Sequence, residues 1–153
     1  MTTTPHPTAV GASTPEALEP RLAALVAAAD LDGIVGLYAA DAVVSLPRGR
    51  EAAGSAAIRE AFAAALAAGV LVTTRTVPDD VLGELAAGGG PVASRAIVTG
   101  ELAMTTSTAA DGTVRTQVAR RSAEGRWVWV RDGSRLREVE ACLPAPSGDL
   151  AVA

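Results

Sequence analysis

The 153-residue sequence contains no lysine and no asparagine, and it has one histidine, one cysteine and four aromatic residues. A single cysteine cannot form an internal disulfide. A metal site needs several converging His, Cys or carboxylate ligands, and the neighbours Asp79 and Asp80 would point to opposite faces of a strand. We therefore expect neither a metal nor a cofactor. Any core must be built from Ala, Val, Leu and Ile around four aromatic side chains, Tyr38, Phe62, Trp127 and Trp129.

The charge pattern and the absence of long apolar runs exclude two classes of partner. The net charge is −4, and the thirteen arginines are scattered along the chain. A nucleic-acid surface needs clustered positive charge, so no nucleic-acid partner is expected. No apolar run approaches the length that spans a bilayer, and residues 1–16 lack the pattern of a secretory signal. We expect a cytoplasmic protein without a membrane partner.

The domain boundaries follow from composition. Residues 1–13 are rich in Thr and Pro and predict a flexible leader, and residues 144–153 predict a flexible tail, so the single domain spans residues 14–143. His6 lies in this leader. Since no histidine lies in the domain to activate Cys142, that residue is interpreted as an incidental thiol rather than a nucleophile.

The first half of the domain has helical periodicity. Apolar residues recur at helical spacing from Leu18 to Ala29, with Pro20 either in the first turn of this helix or at a kink. A second short helix is predicted over Asp30–Ala40, with Tyr38 on its buried face. A third is predicted over Ser55–Ala68, ending at Gly69.

From residue 70 the period becomes alternating. Short strands are predicted at 71–77 and 79–85, followed by a glycine loop at 88–90, and longer strands over Val92–Thr108, Val114–Ser122 and Arg126–Arg137. Three helices followed by a strongly curved antiparallel sheet is an α+β order, with the helices covering one face of the sheet. The other face of the sheet then needs solvent or a partner, and we expect a homodimer that forms through it.

Strand alternation predicts which side chains share a face. If Asp132 points towards the helices, Val128 and Val130 do so too, while Trp127 and Trp129 lie on the outer face and suit a dimer interface.

Two further polar residues are candidates for the inner face. An inward Arg121 would form an ion pair with Asp132. Glu101 is a second candidate acid if it points inward, and an ordinary exposed residue if it does not; the alternation alone leaves both possibilities open.

The segment Leu31–Leu66 resembles the opening of ketosteroid isomerase, including Gly54-Ser55-Ala56-Ala57-Ile58-Arg59-Glu60. The resemblance implies a fold with a cone-shaped pocket between helices and sheet. The position of the isomerase's general base is occupied by Leu46. The oxyanion-hole tyrosine and aspartic acid of that family fall on Leu22 and near Gln117. Gln117 can still donate a hydrogen bond to a developing oxyanion.

The end of the last strand resembles SnoaL-like polyketide cyclases. Gly125-Arg126-Trp127-Val128-Trp129-Val130-Arg131-Asp132 matches their final segment from its glycine to its catalytic aspartate, although Val130-Arg131 replaces the family's His-Trp pair. The resemblance implies that Asp132 is an acid/base. The alternative is structural, because Asp132-Gly133 is also a typical turn sequence.

The domain as a whole is similar to SnoaL-like proteins of the nuclear transport factor 2-like superfamily, and in particular to their enediyne-associated subgroup. The matching motifs are Tyr38 to Val43, Pro47, Gly54 to Arg59 and Arg120 to Trp127. The resemblance implies a role with a hydrophobic intermediate of antibiotic or other polyketide biosynthesis. The Asp-Arg-Asp arrangement of the epoxide hydrolases with this fold has no convincing match in the sequence.

Two functions remain. The first is a cofactor-free cyclase, isomerase or dehydratase with Asp132 as acid/base and with Tyr38, Gln117, Arg121 or Glu101 contacting the substrate. The second is a binding or carrier protein that shelters a hydrophobic intermediate without chemistry of its own.

Overall fold

The computed structural model describes residues 10–71, 93–108 and 114–142. Three α-helices, α1 (Leu18–Ala27), α2 (Leu31–Val35) and α3 (Ser55–Ala67), accompany six strands. The strands are β1 (Tyr38–Ser45), β2 (Glu51–Ala53), β3 (Ala93–Thr99), β4 (Leu102–Thr108), β5 (Val114–Arg121) and β6 (Trp127–Asp132). Short 3₁₀ turns lie at Pro15–Ala17, Pro47–Gly49 and Glu140–Cys142.

Side-chain caps explain where the 3₁₀ turn that leads into α1 and the helix α2 begin. Thr14 Oγ1 accepts a hydrogen bond from the amide of Ala17, and Asp30 Oδ1 accepts one from the amide of Gly33 at 2.9 Å. Both residue types are favoured at helix N-caps because they satisfy backbone donors that have no partner in the helix. Pro20 lies in the first turn of α1, where no intrahelical donor is needed, as in the first of the two predicted alternatives.

The second helix is shorter than predicted. It ends at Val35, and Tyr38 is the first residue of β1 rather than part of a helix. Glycines at 33 and 36 weaken the helix interior, and the β-branched and aromatic residues that follow favour a strand. The third helix matches its predicted position to within one residue.

The six strands form one curved, unclosed sheet in the order β2-β1-β6-β5-β4-β3. The predicted α+β class is confirmed. Four of the five strand pairs are antiparallel, but β1 and β6 run parallel, so the sheet is not purely antiparallel as expected. Because they run parallel, β1 and β6 end at the same edge of the sheet, with Val44 beside Asp132.

Two predicted strands have different limits. The strand expected over Val92–Thr108 is a hairpin, in which β3 and β4 pair on either side of Gly100 and Glu101. Gly100 has a φ of +61°, a conformation that glycine adopts without strain at the tip of a tight hairpin. The strand expected over Arg126–Arg137 ends at Asp132, where the Asp-Gly turn begins. The short strands predicted at 71–77 and 79–85 and the loop at 88–90 lie outside the described residues, apart from Leu71.

A β-bulge in β6 changes which side chains face the helices. Ala119 pairs with Trp129 and Val118 pairs with Arg131, so Val130 is an extra residue without an opposite partner on β5. One extra residue inverts the alternation. As a result, Trp129 and Asp132 lie on the same face of the sheet, and the prediction that Trp129 faces outward is wrong.

Residues 10–13 do not behave as the expected leader. Ala12 is buried and exchanges two backbone hydrogen bonds with Trp127, at 2.8 and 2.9 Å. Gly11 lies against the same residue, and a Cβ there would be 2.4 Å from Trp127 O. Trp127 is therefore covered by the chain's own N-terminal segment and is not an exposed interface residue.

The helices cover the inner face of the sheet and form the core with it. The largest fully buried apolar side chains are Trp129, Phe62, Leu18, Leu22 and Ile34. By contrast, Ile97, Leu102 and Met104 on β3 and β4 are exposed. No helix in the described part of the chain is long and apolar enough to cross a membrane.

Candidate functional site

The inner face carries a buried carboxylate at the end of β6. Asp132 is completely buried, and its Oδ2 accepts a hydrogen bond of 2.9 Å from the Tyr38 hydroxyl. The parallel pairing of β1 with β6 brings these two residues together, since Tyr38 lies beside Trp129 in the sheet register. Sequence reasoning proposed Asp132 and Tyr38 for one site, and the structure brings them into contact.

The other oxygen of Asp132 stabilises the turn that follows. Oδ1 accepts hydrogen bonds from the backbone amides of Ser134 and Arg135 at 3.2 and 3.1 Å. Of the two roles considered for Asp132, acid/base and turn, the turn role is therefore present, in a side chain that is also completely buried. Oδ1 is occupied by the turn, whereas Oδ2 accepts a single hydrogen bond, from Tyr38.

A buried ion pair lies beside this carboxylate. Arg135 Nη2 donates to Glu19 Oε1, and Arg135 Nε lies 4.0 Å from Asp132 Oδ2. Glu19 and Arg135 are each only 6% exposed. The cluster is Glu19-Arg135-Asp132, with a glutamate in place of one aspartate, so it is not the Asp-Arg-Asp arrangement for which the sequence has no convincing match.

Sequence reasoning missed Glu19 and Arg135 because 116 residues separate them. The one available signal was the position of Glu19 three residues before Leu22, on the buried side of α1. Burial of a charged group costs several kcal/mol unless a partner compensates it. Two carboxylates and one guanidinium leave this cluster with one net negative charge.

The ionisation of Tyr38 and Arg135 follows from this environment. Burial, and then the negative charge of Asp132, raise the pKa of Tyr38 well above its usual value, so the phenol keeps its proton. Burial lowers the pKa of Arg135 and is the largest single effect. The charge of Glu19 and the other neighbouring groups raise the pKa, and together they outweigh burial, so the pKa of Arg135 lies above its usual value. The Tyr38 ring is held by Phe62 and Trp129, with centroids 5.6 and 5.4 Å away.

A second group of polar side chains extends from Asp132 across β5 and β4. Gln117 is directly opposite Asp132 in the sheet register and is buried. Trp129 Nε1 donates to Thr105 Oγ1, and Thr105 donates to Gln117 Oε1, both at 3.2 Å. Among the residues that the structure describes, Gln117 Nε2 has no hydrogen-bond partner, and neither has the buried hydroxyl of Ser107 on β4. Buried polar atoms of this kind are uncommon in native proteins.

Two of the predicted site residues, Arg121 and Glu101, lie away from Asp132. Arg121 donates to Glu101 at 2.9 and 3.0 Å, and both side chains are exposed at the turn of the β3–β4 hairpin. Arg121 lies four residues along β5 from Gln117, which is about 13 Å in a strand. The expected ion pair between Arg121 and Asp132 is therefore wrong, and the residue that takes this place is Arg135. The inward position considered for Glu101 is also wrong, because the hairpin turn carries it to the surface.

The edge of the sheet at which β1 and β6 end has an open cleft of about 510 Å³, between the loop after β1 and the segment after β6. A smaller cleft of about 190 Å³ beside α3 shares Leu46, Arg50 and Glu51 with it. Leu46, which occupies the position of the isomerase base, is buried and lines both clefts. Within the described ranges, no group of three or more His, Cys, Asp or Glu side chains is placed to hold a metal ion.

Comparison with known structures gives similarities of fold. The chain is similar to an NTF2-like protein with a cystatin-like fold from Novosphingobium aromaticivorans, at 20% identity over 77% of this chain and 76% of that one (TM-score 0.46). It is similar to a ketosteroid isomerase-like protein from Erwinia carotovora atroseptica, at 20% identity over 77% and 89% (TM-score 0.43). A Nostoc punctiforme protein of unknown function with a cystatin-like fold shares 15% identity over 76% and 84% (TM-score 0.48).

The sequence comparisons are more specific about the family than the structural ones. A comparison with curated proteins found no similar sequence. The family model described as a SnoaL-like domain matches residues 21–137. This range includes α1 from Arg21 onward, α2, α3 and the six strands, and it contains Asp132 and Arg135 but not Glu19. Since this match spans well over half of the chain, the protein belongs to the SnoaL-like domain family.

Proposed function

We propose that this protein binds a hydrophobic small molecule on the inner face of its sheet and transfers a proton on it with Asp132, without a cofactor. The observation that supports this most is the position of Asp132, a buried carboxylate with a phenol on Oδ2 and an unpaired amide on the neighbouring strand. Buried ionisable groups with specific partners are concentrated at functional sites.

The proposed step is the removal of a proton next to a carbonyl group. Asp132 Oδ2 takes the proton as the C–H bond breaks, and the electron pair moves onto the carbonyl oxygen. Gln117 Nε2 then donates a hydrogen bond to the developing oxyanion, which lowers the barrier most when the donor is already in place. Tyr38 holds the carboxylate in position and remains protonated. Cyclisation, isomerisation and dehydration all begin with such a step.

Glu19 and Arg135 are positioning residues in this proposal. Arg135 compensates the charge of Asp132 at 4.0 Å, and Glu19 fixes the guanidinium from its other side. A base held between a cation and a phenol keeps its geometry while a substrate approaches. The resemblance of the motifs to SnoaL-like polyketide cyclases and to the enediyne-associated subgroup supports a polyketide-like intermediate as the substrate class.

The test uses 5-nitrobenzisoxazole, an apolar probe whose ring opens when a base removes its single reactive proton. Asp132→Asn should lower the rate by about a hundredfold to ten-thousandfold, because the amide keeps the shape but cannot accept the proton. Asp41→Asn, a change to an exposed carboxylate, is the matched control and should leave the rate unchanged. Equal rates for the two variants would contradict a catalytic Asp132.

The second candidate function is binding without chemistry. This function is favoured by the hydrogen bonds that Asp132 already accepts from Tyr38, Ser134 and Arg135. It is also favoured by Leu46, an apolar residue at the position of the isomerase base. In that case Asp132→Asn would bind the probe as the wild type does, and the probe would be recovered unchanged from both proteins. Mass spectrometry of the bound material distinguishes the two functions.

We also propose that the protein is a homodimer, formed through an outer apolar patch of Ile97, Leu102, Met104 and Val118. Ile97, Met104 and Val118 lie in one row across β3, β4 and β5. Ile97 is 66% exposed and Leu102 51% exposed. A contiguous apolar patch on a sheet face is typical of an interface, and a second copy can cover it by two-fold symmetry. This surface replaces Trp127 and Trp129, which the chain itself buries.

A further inference from the structure

We propose that the cleft between the loop after β1 and the segment after β6 binds an anionic group, a carboxylate or a phosphate, of a small molecule. The cleft of about 510 Å³ is lined by Arg48, Arg50 and Arg137. These side chains create a local positive charge in a protein whose net charge is −4. Guanidinium groups recognise carboxylates and phosphates through paired N–H donors.

Two of these arginines, Arg50 and Arg137, have no partner within the described part of the chain. Arg48 forms an ion pair with Glu140 at 3.2 Å, and the acidic residue Glu51 on the cleft wall is paired with Arg131 at 2.6 Å. No ion pair or hydrogen bond occupies the guanidinium of Arg50 or Arg137 among the residues that the structure describes. The cleft also contains Glu138, so its side chains without a partner carry one net positive charge.

The backbone that carries both arginines is fixed by local contacts. The Arg50 carbonyl accepts a 2.7 Å hydrogen bond from the amide of Leu46, which closes the loop after β1. Leu136, which precedes Arg137, is completely buried and anchors the segment after β6. The two guanidiniums therefore project from anchored backbone positions, which reduces the entropy that a ligand must overcome.

The position of the cleft links it to the inner face. β1 and β6 end at the same edge, with Val44 beside Asp132. Leu46, the first residue after β1, is buried two residues beyond Val44. A ligand anchored by its anionic end at Arg50 and Arg137 would thus have its apolar part near the edge where Asp132 lies. This step rests on the proposed function, whereas anion binding in the cleft does not.

Calorimetry with three ten-carbon probes, decanoate, decyl phosphate and uncharged decanol, tests the proposal. We expect both anions to bind more tightly than decanol, and Arg50→Gln and Arg137→Gln each to weaken anion binding about tenfold, which is the contribution of a charged hydrogen bond. Arg59→Gln, an exposed arginine on α3, is the matched control and should change nothing. Glu138→Gln should tighten anion binding.

The outcomes separate this proposal from the proposed function. Equal affinity for decanol and decanoate, or anion affinities unchanged in Arg50→Gln and Arg137→Gln, would overturn the anion site. Anion binding that depends on both arginines, with no binding of decanol at all, would support the anion site while counting against an apolar site on the inner face. Perturbation of the Arg50 and Arg137 side-chain NMR signals by inorganic phosphate alone would also support the anion site.

Discussion

The two faces of strand β4 contradict the usual rule that polar residues face the solvent. Thr105 and Ser107 are 3% and 2% exposed on the inner face, whereas Leu102 and Met104 are 51% and 44% exposed on the outer face. A strand placed by hydrophobicity alone would be inverted. Hydrogen bonds explain how the polar side chains of β4 are buried on the inner face, and the proposed homodimer would explain why its apolar side chains lie on the outer one.

The inner face is stabilised by a polar network rather than by apolar packing alone. Trp129, Thr105 and Gln117 form a chain of hydrogen bonds, and the Glu19-Arg135-Asp132 cluster adds buried charge. Such networks are costly when a member is removed, because the remaining groups stay buried without partners. The outer-face side chains that the structure describes form no comparable buried network, so equivalent substitutions on the two faces should have different effects.

The largest effect on stability is expected from Arg135→Met. Removal of the guanidinium leaves the buried carboxylates of Glu19 and Asp132 uncompensated, which should lower the free energy of unfolding by about 3–5 kcal/mol. Urea denaturation measures the loss. The exposed Arg121→Met should change stability little, and Glu19→Leu combined with Arg135→Met should be less harmful than the sum of the single changes. An Arg135→Met protein as stable as Arg121→Met would show that the cluster is not an energetic unit.

A smaller effect on stability is expected at high pH, from the ionisation of Tyr38, the only tyrosine in the sequence. Its pKa is raised in the folded state, so above about pH 10, where the unfolded chain loses this proton first, stability should fall by about 1.4 kcal/mol per pH unit. Tyrosinate absorbance should therefore appear only as the protein unfolds. Asp132→Asn removes the neighbouring charge and should lower the pKa of Tyr38. A titration near pH 10 in the folded wild type would contradict the buried pair.

Periodicity predicted the parts of this fold that depend on local sequence. The third helix and β5 lie within one residue of their expected limits, because capping, alternation and turn residues act over a few positions. The error in β6 arose from one extra residue, Val130, in a run of strand-forming residues that contains no signal for a bulge. The wrong orientation inferred for Trp129 followed from assuming regular alternation through Val130.

The candidate site was predictable only in part, for a related reason. Asp132 was identified from the resemblance of one strand to SnoaL-like cyclases, and Gln117 from the resemblance to ketosteroid isomerase, whose oxyanion-hole aspartic acid falls near it. The contacts of Asp132 with Tyr38 and Arg135 depend on the parallel pairing of β1 with β6 and on a turn after the strand. Glu19 reaches the site from the first helix. Contacts between distant segments leave no periodic pattern in the sequence.

A third prediction compares two neighbouring residues of the inner face. Thr105→Val should lower the free energy of unfolding by about 1–3 kcal/mol, because Trp129 Nε1 would lose its acceptor. Ser107→Ala should instead raise it by about 1 kcal/mol, because the hydroxyl that it removes is buried without a partner. Thermal unfolding should show a lower melting temperature for Thr105→Val and a higher one for Ser107→Ala. A destabilising Ser107→Ala would mean that this hydroxyl already has a partner.

The smallest effect on monomer stability is expected on the outer face. Met104→Arg changes an exposed side chain and should alter the free energy of unfolding of the monomer by no more than about 0.5 kcal/mol, yet it places a charge in the centre of the outer apolar patch. Light scattering at micromolar concentration should give the mass of a dimer for the wild type and of a monomer for Met104→Arg. Val70→Arg, at another exposed position, after α3, should remain a dimer. A monomeric wild type, or a Met104→Arg protein that is still a dimer, would contradict the proposed interface. A second copy would then not explain the exposed apolar residues of β4, and the contrast between the two faces of this strand would be lost.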